Sequence, residues 1–152
     1  MMFRSLSFLS RKSGPLVGIV AILLIQNLAI FYNHYFRGYA FPWDFLGSYH
    51  ALPYYWIEAA KLGVDTAWIP FQGMGYPLYL NLQSGAFYPP FWLLVILGKT
   101  YSVETAVLMQ GLHVWFGAVG AVICARLLGL KWKESLLVGV FYQAFGAFYS
   151  NA

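Results

Sequence analysis

Charge is what this chain lacks. Only 9% of its 152 residues are Asp, Glu, Lys or Arg, and the acids number five. A soluble globular domain carries about 25% charged residues, so an ordinary water-facing surface cannot be built from these residues. The formal net charge of +4 sets nine Lys and Arg against those five acids, which is a shortage of acid more than a basic face. That excludes a nucleic-acid binder assembled on a cationic surface, and it excludes a disordered chain. Cysteine is nearly absent too. Cys124 alone can form neither a disulfide framework nor a CxxC metal site, and within its apolar run it is expected to be a small core residue. No HExxH, nucleophile elbow or phosphate-binding glycine loop occurs, and His34, His50 and His113 show no metal-ligand spacing. No internal repeat or Gly/Ser linker divides the chain.

What is present is apolar. Hydrophobic residues make up 61% of the chain and aromatics 20%, with a mean hydropathy of +0.63. The expected class is therefore an all-α integral membrane protein of polytopic helices. A span needs about 20 apolar residues, and the run over 15–36 supplies them. Arg4, Arg11 and Lys12 precede it, which places residues 1–14 in the cytoplasm. A cleaved signal peptide fits the basic start, but the run is long and no A-x-A-like site follows. Gln26 and Asn27 in its middle are expected to hydrogen-bond a neighbouring helix. The run over 103–128 is also long enough to cross, and Gly117, Ala121 and Ala125 give it a small-residue ridge for close packing. The run over 135–152 is a third span, reached through a cytoplasmic loop at 129–134.

The short run over 87–98 decides the topology. If it crosses, Arg126, Lys131 and Lys133 lie outside and the positive-inside bias is lost. If it stays at the interface, Arg4, Arg11, Lys12, Arg126, Lys131 and Lys133 lie inside, against Arg37, Lys61 and Lys99 outside. The second arrangement also suits its length. It gives three spans and a long first outer loop, 37–102, with amphipathic or re-entrant helices near 44–62 and 87–98. Three spans make a poor free-standing domain, so the N-terminal portion of a larger protein is expected.

The outer loop holds the chemistry. Asp44 follows Pro42, which blocks helix continuation, and it can cap a helix running to about Leu62. Trp43, Phe45, Tyr49, Tyr55 and Trp56 suit a helix at headgroup level, with a kink at Pro53. A carboxylate walled by aromatics at the membrane surface is partly desolvated, which improves it as a general base. Asp44 is therefore either a plain cap or a functional acid. A straight helix would put Glu58 on its face. Residues 68–77 read as an irregular loop, because Gly and Pro recur every few positions. The amides of Asn81 and Gln83 can read sugar hydroxyls or satisfy loop backbone. His113 reads as a packing donor between helices, and Arg37, Lys61 or Lys99 could hold a lipid phosphate or snorkel to headgroups.

Three groups of residues carry a resemblance. The first is Pro42-Trp43-Asp44 after the anchor; the second is Trp68-Ile69-Pro70-Phe71-Gln72-Gly73-Met74-Gly75-Tyr76-Pro77. The third is Asn81-Leu82-Gln83-Ser84-Gly85-Ala86-Phe87-Tyr88-Pro89-Pro90-Phe91-Trp92, with His113 and Ala125-Arg126-Leu127-Leu128-Gly129-Leu130 further on. This order resembles the start of YfhO-like proteins, members of the GT-C class of polytopic glycosyltransferases. The Gln-Ser-Gly-x-Phe-Tyr-Pro-Pro run is its most specific part, whereas the anchor and the 103–128 span are generic. The resemblance implies transfer of a sugar from a polyprenyl-phosphate carrier on the outer face of a bacterial cell membrane. It implies a catalytic acid in the first outer loop, a position that Asp44 matches. Arg37, His50, Glu58, Lys61, Gln83, Ser84 and Tyr88 are the candidate substrate-binding residues. A divalent metal assists some members, but no second acid stands beside Asp44 and no cofactor is assigned. The partners expected are lipid-linked sugar, membrane lipids and the remaining spans of a longer protein, without which the chain should be inactive. The rival reading is a non-catalytic scaffold or accessory subunit. A transporter ranks last, because its polar groups should gather at mid-bilayer whereas the acids here lie outside.

Overall fold

The structure is a computed structural model that describes residues 14–71 and 73–145, with the side chains of Trp43, Tyr79 and Gln83 outside that description. It is predominantly helical. The helices are α1 (Gly14–Ile30), α2 (Tyr32–Arg37), α3 (Ala51–Lys61), α4 (Pro89–Ile96), α5 (Val103–Leu127) and α6 (Trp132–Gln143). Among the described residues, α5 is the one helix long and apolar enough to cross a membrane; its mean hydropathy reaches 1.7. The described chain divides into two compact units, 14–39 with 108–145, and 40–107.

The first unit packs α1, most of α5 and α6 around Ile19, Leu23, Ala118 and Val122. The apolar run over 15–36 is helical apart from a turn at Phe31, where backbone bonds from Phe31 to Asn27 and from Tyr35 to Phe31 carry the helix through. Gly38, in the left-handed conformation, ends α2. Close packing depends on glycine. A Cβ at Gly139 would stand 2.7 Å from Val122 and 3.2 Å from Leu23, and one at Gly117 would overlap the Tyr142 ring. Gly117 of the expected ridge thus makes a close contact, while Gly139 is a contact outside that pattern.

A network of amides is buried beside this apolar core. Asn27 donates to the Gly111 carbonyl at 3.0 Å and to Gln143 Oε1 at 3.1 Å, and its Oδ1 accepts from Tyr35 at 2.8 Å. Gln143 donates to the Leu23 carbonyl at 2.9 Å, and Gln26 donates to the Val140 carbonyl at 3.0 Å. Gln26 and Asn27 therefore bond neighbouring helices, as their position suggested. The outside of the unit is apolar: Val17, Ile25, Leu108, Phe116, Leu137 and Phe141 are exposed. One expectation fails here. Cys124 is exposed rather than core, because the inward face of α5 is taken by Ala118, Val122 and Ala125. His113 is exposed and bonds the Met109 carbonyl of its own helix, one turn back. Arg126 closes α5 by donating to the Leu130 carbonyl, with its guanidinium 4.4 Å from the Trp132 ring centre. The apolar run expected to continue to residue 152 is helical as α6, starting earlier at Trp132; residues 146–152 lie outside the described residues.

The second unit contains α3, α4, the first turn of α5 and a minimal hairpin. The helix expected over 44–62 is present but irregular at its start. A 3-10 turn (Trp43–Phe45) leads to a π turn (Leu46–His50), and only then does α3 begin. Pro53 supplies the reason: it has no N–H to give to the carbonyl four residues back, and its ring crowds that carbonyl, so the turn before it widens. The segment 68–77, expected to be irregular throughout, contains two short strands. β1 (Trp68–Ile69) pairs antiparallel with β2 (Tyr76–Pro77), Trp68 opposite Pro77 and Ile69 opposite Tyr76. Glycines 73 and 75 permit the reversal, with φ of +58° and +97°. α4 falls inside the expected 87–98 helix and starts at Pro89, a residue suited to the first helical position because its missing N–H has no partner there anyway. Trp56 of α3 meets Trp92 of α4 edge to face at 4.8 Å.

Candidate functional site

The second unit carries all the acids of the expected outer loop, and the structure separates their roles. Glu58 accepts from Lys61 Nζ at 2.7 Å, and Lys61 also reaches Thr100 Oγ1 at 3.3 Å. This half-buried pair fastens the end of α3 to the segment before α5. Asp65 accepts the Ala67 N–H at 2.7 Å and so forms its own turn. Asp44 does neither. It lies within the 3-10 turn whose cap is Pro42, it is exposed, and it makes no hydrogen bond or ion pair among the described residues.

Two expectations about Asp44 are thereby corrected. It does not cap the helix, because the 3-10 and π turns place it well before α3. It is not walled by aromatics either. Phe41 and Phe45 are buried and pack against each other at 5.3 Å, while Asp44 is exposed. The straight helix that would put Glu58 on the face of Asp44 is not formed, because a 3-10 turn and a π turn precede α3.

The residues around His50 form the most organised polar feature. The imidazole lies between Tyr54 and Tyr101, 5.7 Å and 5.5 Å from their ring centres and nearly parallel to both. Nε2 is 2.9 Å from the Tyr101 carbonyl. A carbonyl can only accept, so Nε2 carries the hydrogen. Tyr101 continues the aromatic line to Phe91 at 4.9 Å, and Phe91 meets Tyr88 at 4.9 Å. Burial pushes the Tyr101 phenol up to about 12, with a smaller contribution from neighbouring Tyr88, which is itself raised by burial. Both phenols are therefore neutral donors near neutral pH. Tyr101 could not be found from the sequence because it is distant in the chain, whereas Tyr54 stands one helical turn after His50, a spacing that could have signalled its contact.

The Gln-Ser-Gly-x-Phe-Tyr-Pro-Pro run proves to be a turn that starts α4. Ser84 is buried and its hydroxyl accepts the Ala86 N–H at 3.4 Å, which removes it from the surface a sugar could touch. Gly85 has φ +66°, and a Cβ there would overlap the Phe91 ring. The Trp92 indole donates to the Ala86 carbonyl at 2.9 Å, and Tyr88 caps α4. The Gln83 side chain lies outside the description. Asn81 donates to Tyr76 Oη at 3.4 Å on the wall of an open groove of about 460 Å³, lined by Tyr76, Pro77, Leu80, Asn81 and Leu82. Arg37 belongs to the first unit, where its guanidinium lies 5.6 Å from the Tyr32 ring centre.

The structure therefore gathers His50 and Tyr88 into one aromatic line and pairs Glu58 with Lys61. It leaves Asp44 alone at the surface. Among the described residues no three His, Cys, Asp or Glu side chains come together as a metal site. Compared with known families, curated proteins and solved structures, the chain finds no match in any of the three.

Proposed function

We propose that this chain is the membrane-embedded N-terminal part of a YfhO-like glycosyltransferase of the GT-C class. Its first unit would hold three spans in a bacterial cell membrane. Its second unit would lie in the outer loop, with α3 and α4 at the headgroup level. The apolar exterior of the first unit and the buried amides that join its helices support a membrane setting, because helices in hydrocarbon associate through close packing and interhelical hydrogen bonds. The most apolar stretch of α5 is only 28% buried, unlike the core helix of a soluble protein.

The observation that carries the choice of acid is one of elimination. Of the three acids in the outer loop, Glu58 and Asp65 have structural partners and Asp44 has none among the described residues. On this reading Asp44 accepts a hydrogen bond from the acceptor hydroxyl and takes its proton as the bond from acceptor oxygen to the anomeric carbon forms. The bond from that carbon to the carrier phosphate breaks, and the phosphate leaves with the electron pair. A positioned carboxylate contributes typically 10²–10⁴-fold to such a step. Being exposed, Asp44 gains nothing from desolvation in this unit, so orientation is its larger contribution.

A second reading is a non-catalytic scaffold. It is favoured by the internal bonding of His50, Glu58, Lys61 and Ser84, which leaves them little freedom to hold a substrate. Replacing Asp44 with Asn in the full-length protein separates the two. Membranes carrying the variant at normal abundance are supplied with a radiolabelled polyprenyl-phosphate sugar. Transfer to the acceptor fraction should fall at least about 100-fold if Asp44 acts in the chemistry. Unchanged transfer assigns the chain to scaffolding.

A further inference from the structure

We infer that His50 is an acid-strengthened clasp: protonating its imidazole tightens the hold of the turn before α3 on the segment before α5. The inference concerns the second unit alone, and it stands under the transferase and the scaffold readings alike. His50 is the one histidine between residues 40 and 107, and that stretch has no cysteine. Histidine is the side chain whose charge ordinarily changes between pH 5 and 8. A response of this unit to pH in that range therefore belongs to His50.

The geometry gives the response its sign. Nε2 donates to the Tyr101 carbonyl at 2.9 Å, so an incoming proton lands on Nδ1. Nδ1 makes no hydrogen bond among the described residues and is not sealed from solvent, so the proton arrives without breaking a contact. The contacts already made then strengthen. The bond to the carbonyl becomes charge-assisted, and such bonds are roughly twice as strong as neutral ones. The rings of Tyr54 and Tyr101, centred 5.7 Å and 5.5 Å away, gain a cation within reach of their quadrupoles.

The groups around the ring favour the same outcome. Glu104, in the first turn of α5, lies close enough for its carboxylate to attract the imidazolium. Lys61 reaches Thr100, beside Tyr101, but Glu58 meets its charge at 2.7 Å. Lys99 is exposed, where water and salt screen it. The Tyr88 and Tyr101 phenols, both raised by burial, stay neutral throughout. α3 continues the π turn, with the Ala51 N–H bonded to the Ser48 carbonyl, so no bare helix N-terminus opposes the cation. The added hold is present at low pH and lost as pH rises. It bears on the run that carries Asp44, because Phe45, the next residue, lies 6.5 Å from His50 ring to ring.

The test is amide hydrogen exchange on the full chain in dodecylmaltoside micelles, read by mass spectrometry over residues 46–61. It is run at about pH 5.5 and about pH 8, on either side of the ordinary histidine range. His50→Phe keeps a ring beside the tyrosines and removes the charge. Dividing wild-type protection by that of the variant cancels the chemical pH dependence of exchange. The ratio should be roughly 2–5-fold higher in acid, the size of one exposed cation–π contact. A ratio that is unchanged, or lower in acid, overturns the inference. If His50→Phe does not fold, Glu104→Gln takes its place. The ratio should again rise in acid, because that variant leaves the imidazolium without its carboxylate, and a flat ratio overturns the inference equally.

Discussion

At the scale of single residues, burial and partner count decide what each side chain can do. Tyr101 shows this most directly. Its ring stacks on His50, its carbonyl takes the imidazole hydrogen, and its phenol is held neutral up to about 12 against an ordinary 10.0. A phenol whose folded pKa is raised contributes stability in full below its unfolded value. That contribution is lost as pH rises from about 10 through about 12. The expected outcome is a fall in the stability of the chain over that window, on the order of 2 kcal/mol. Tyr101→Phe keeps the ring and removes the ionisation, so its thermal unfolding in detergent should change less between pH 9 and 12. Equal losses in both proteins would remove Tyr101 from the account. Ser84 and Asp44 make the same point in opposite directions. Both are short polar residues that looked equally available in the sequence, yet one is sealed into a turn and the other stands clear.

At the scale of elements, helices in the first unit approach through glycine and are joined by amides. Gly139 admits Leu23 and Val122, and Asn27 and Gln143 satisfy one another beside it. Gly139→Leu should therefore separate α1 from α6 and cost about 1–3 kcal/mol by overpacking. Gly18 lies on the same α1 helix with open space where a Cβ would go, so Gly18→Ala should raise stability by roughly 0.5–1 kcal/mol. Thermal unfolding in detergent reads both. A tolerated Gly139→Leu would mean the helices do not pack as described. In the second unit the element that departs from regularity is the run into α3. Its π turn precedes Pro53, and the displacement of Asp44 from a helix cap follows from that one residue.

At the scale of the whole molecule, the proposed topology has a consequence that no single contact carries. If α5 crosses the bilayer once, Lys99 and Lys131 lie on opposite faces. In a Cys124→Ala background, Lys99→Cys should react with a membrane-impermeant maleimide in intact cells, and Lys131→Cys only after permeabilisation. Labelling of both from outside would refute the crossing, and with it the outer-face placement of Asp44.

Composition and periodicity alone determined the helical class, the position of α5, the presence of a short helix within 87–98, and the interhelical role of Gln26 and Asn27. Each of these depends on local rules: run length, ring constraints, and the need of a buried amide for a partner. Tertiary structure decided the rest. Whether Asp44 is walled or open, whether Ser84 can meet a ligand, and that Tyr101 closes over His50 depend on which distant residues share a core. The direction a side chain faces is set by packing between segments far apart in the chain, and no local pattern encodes it.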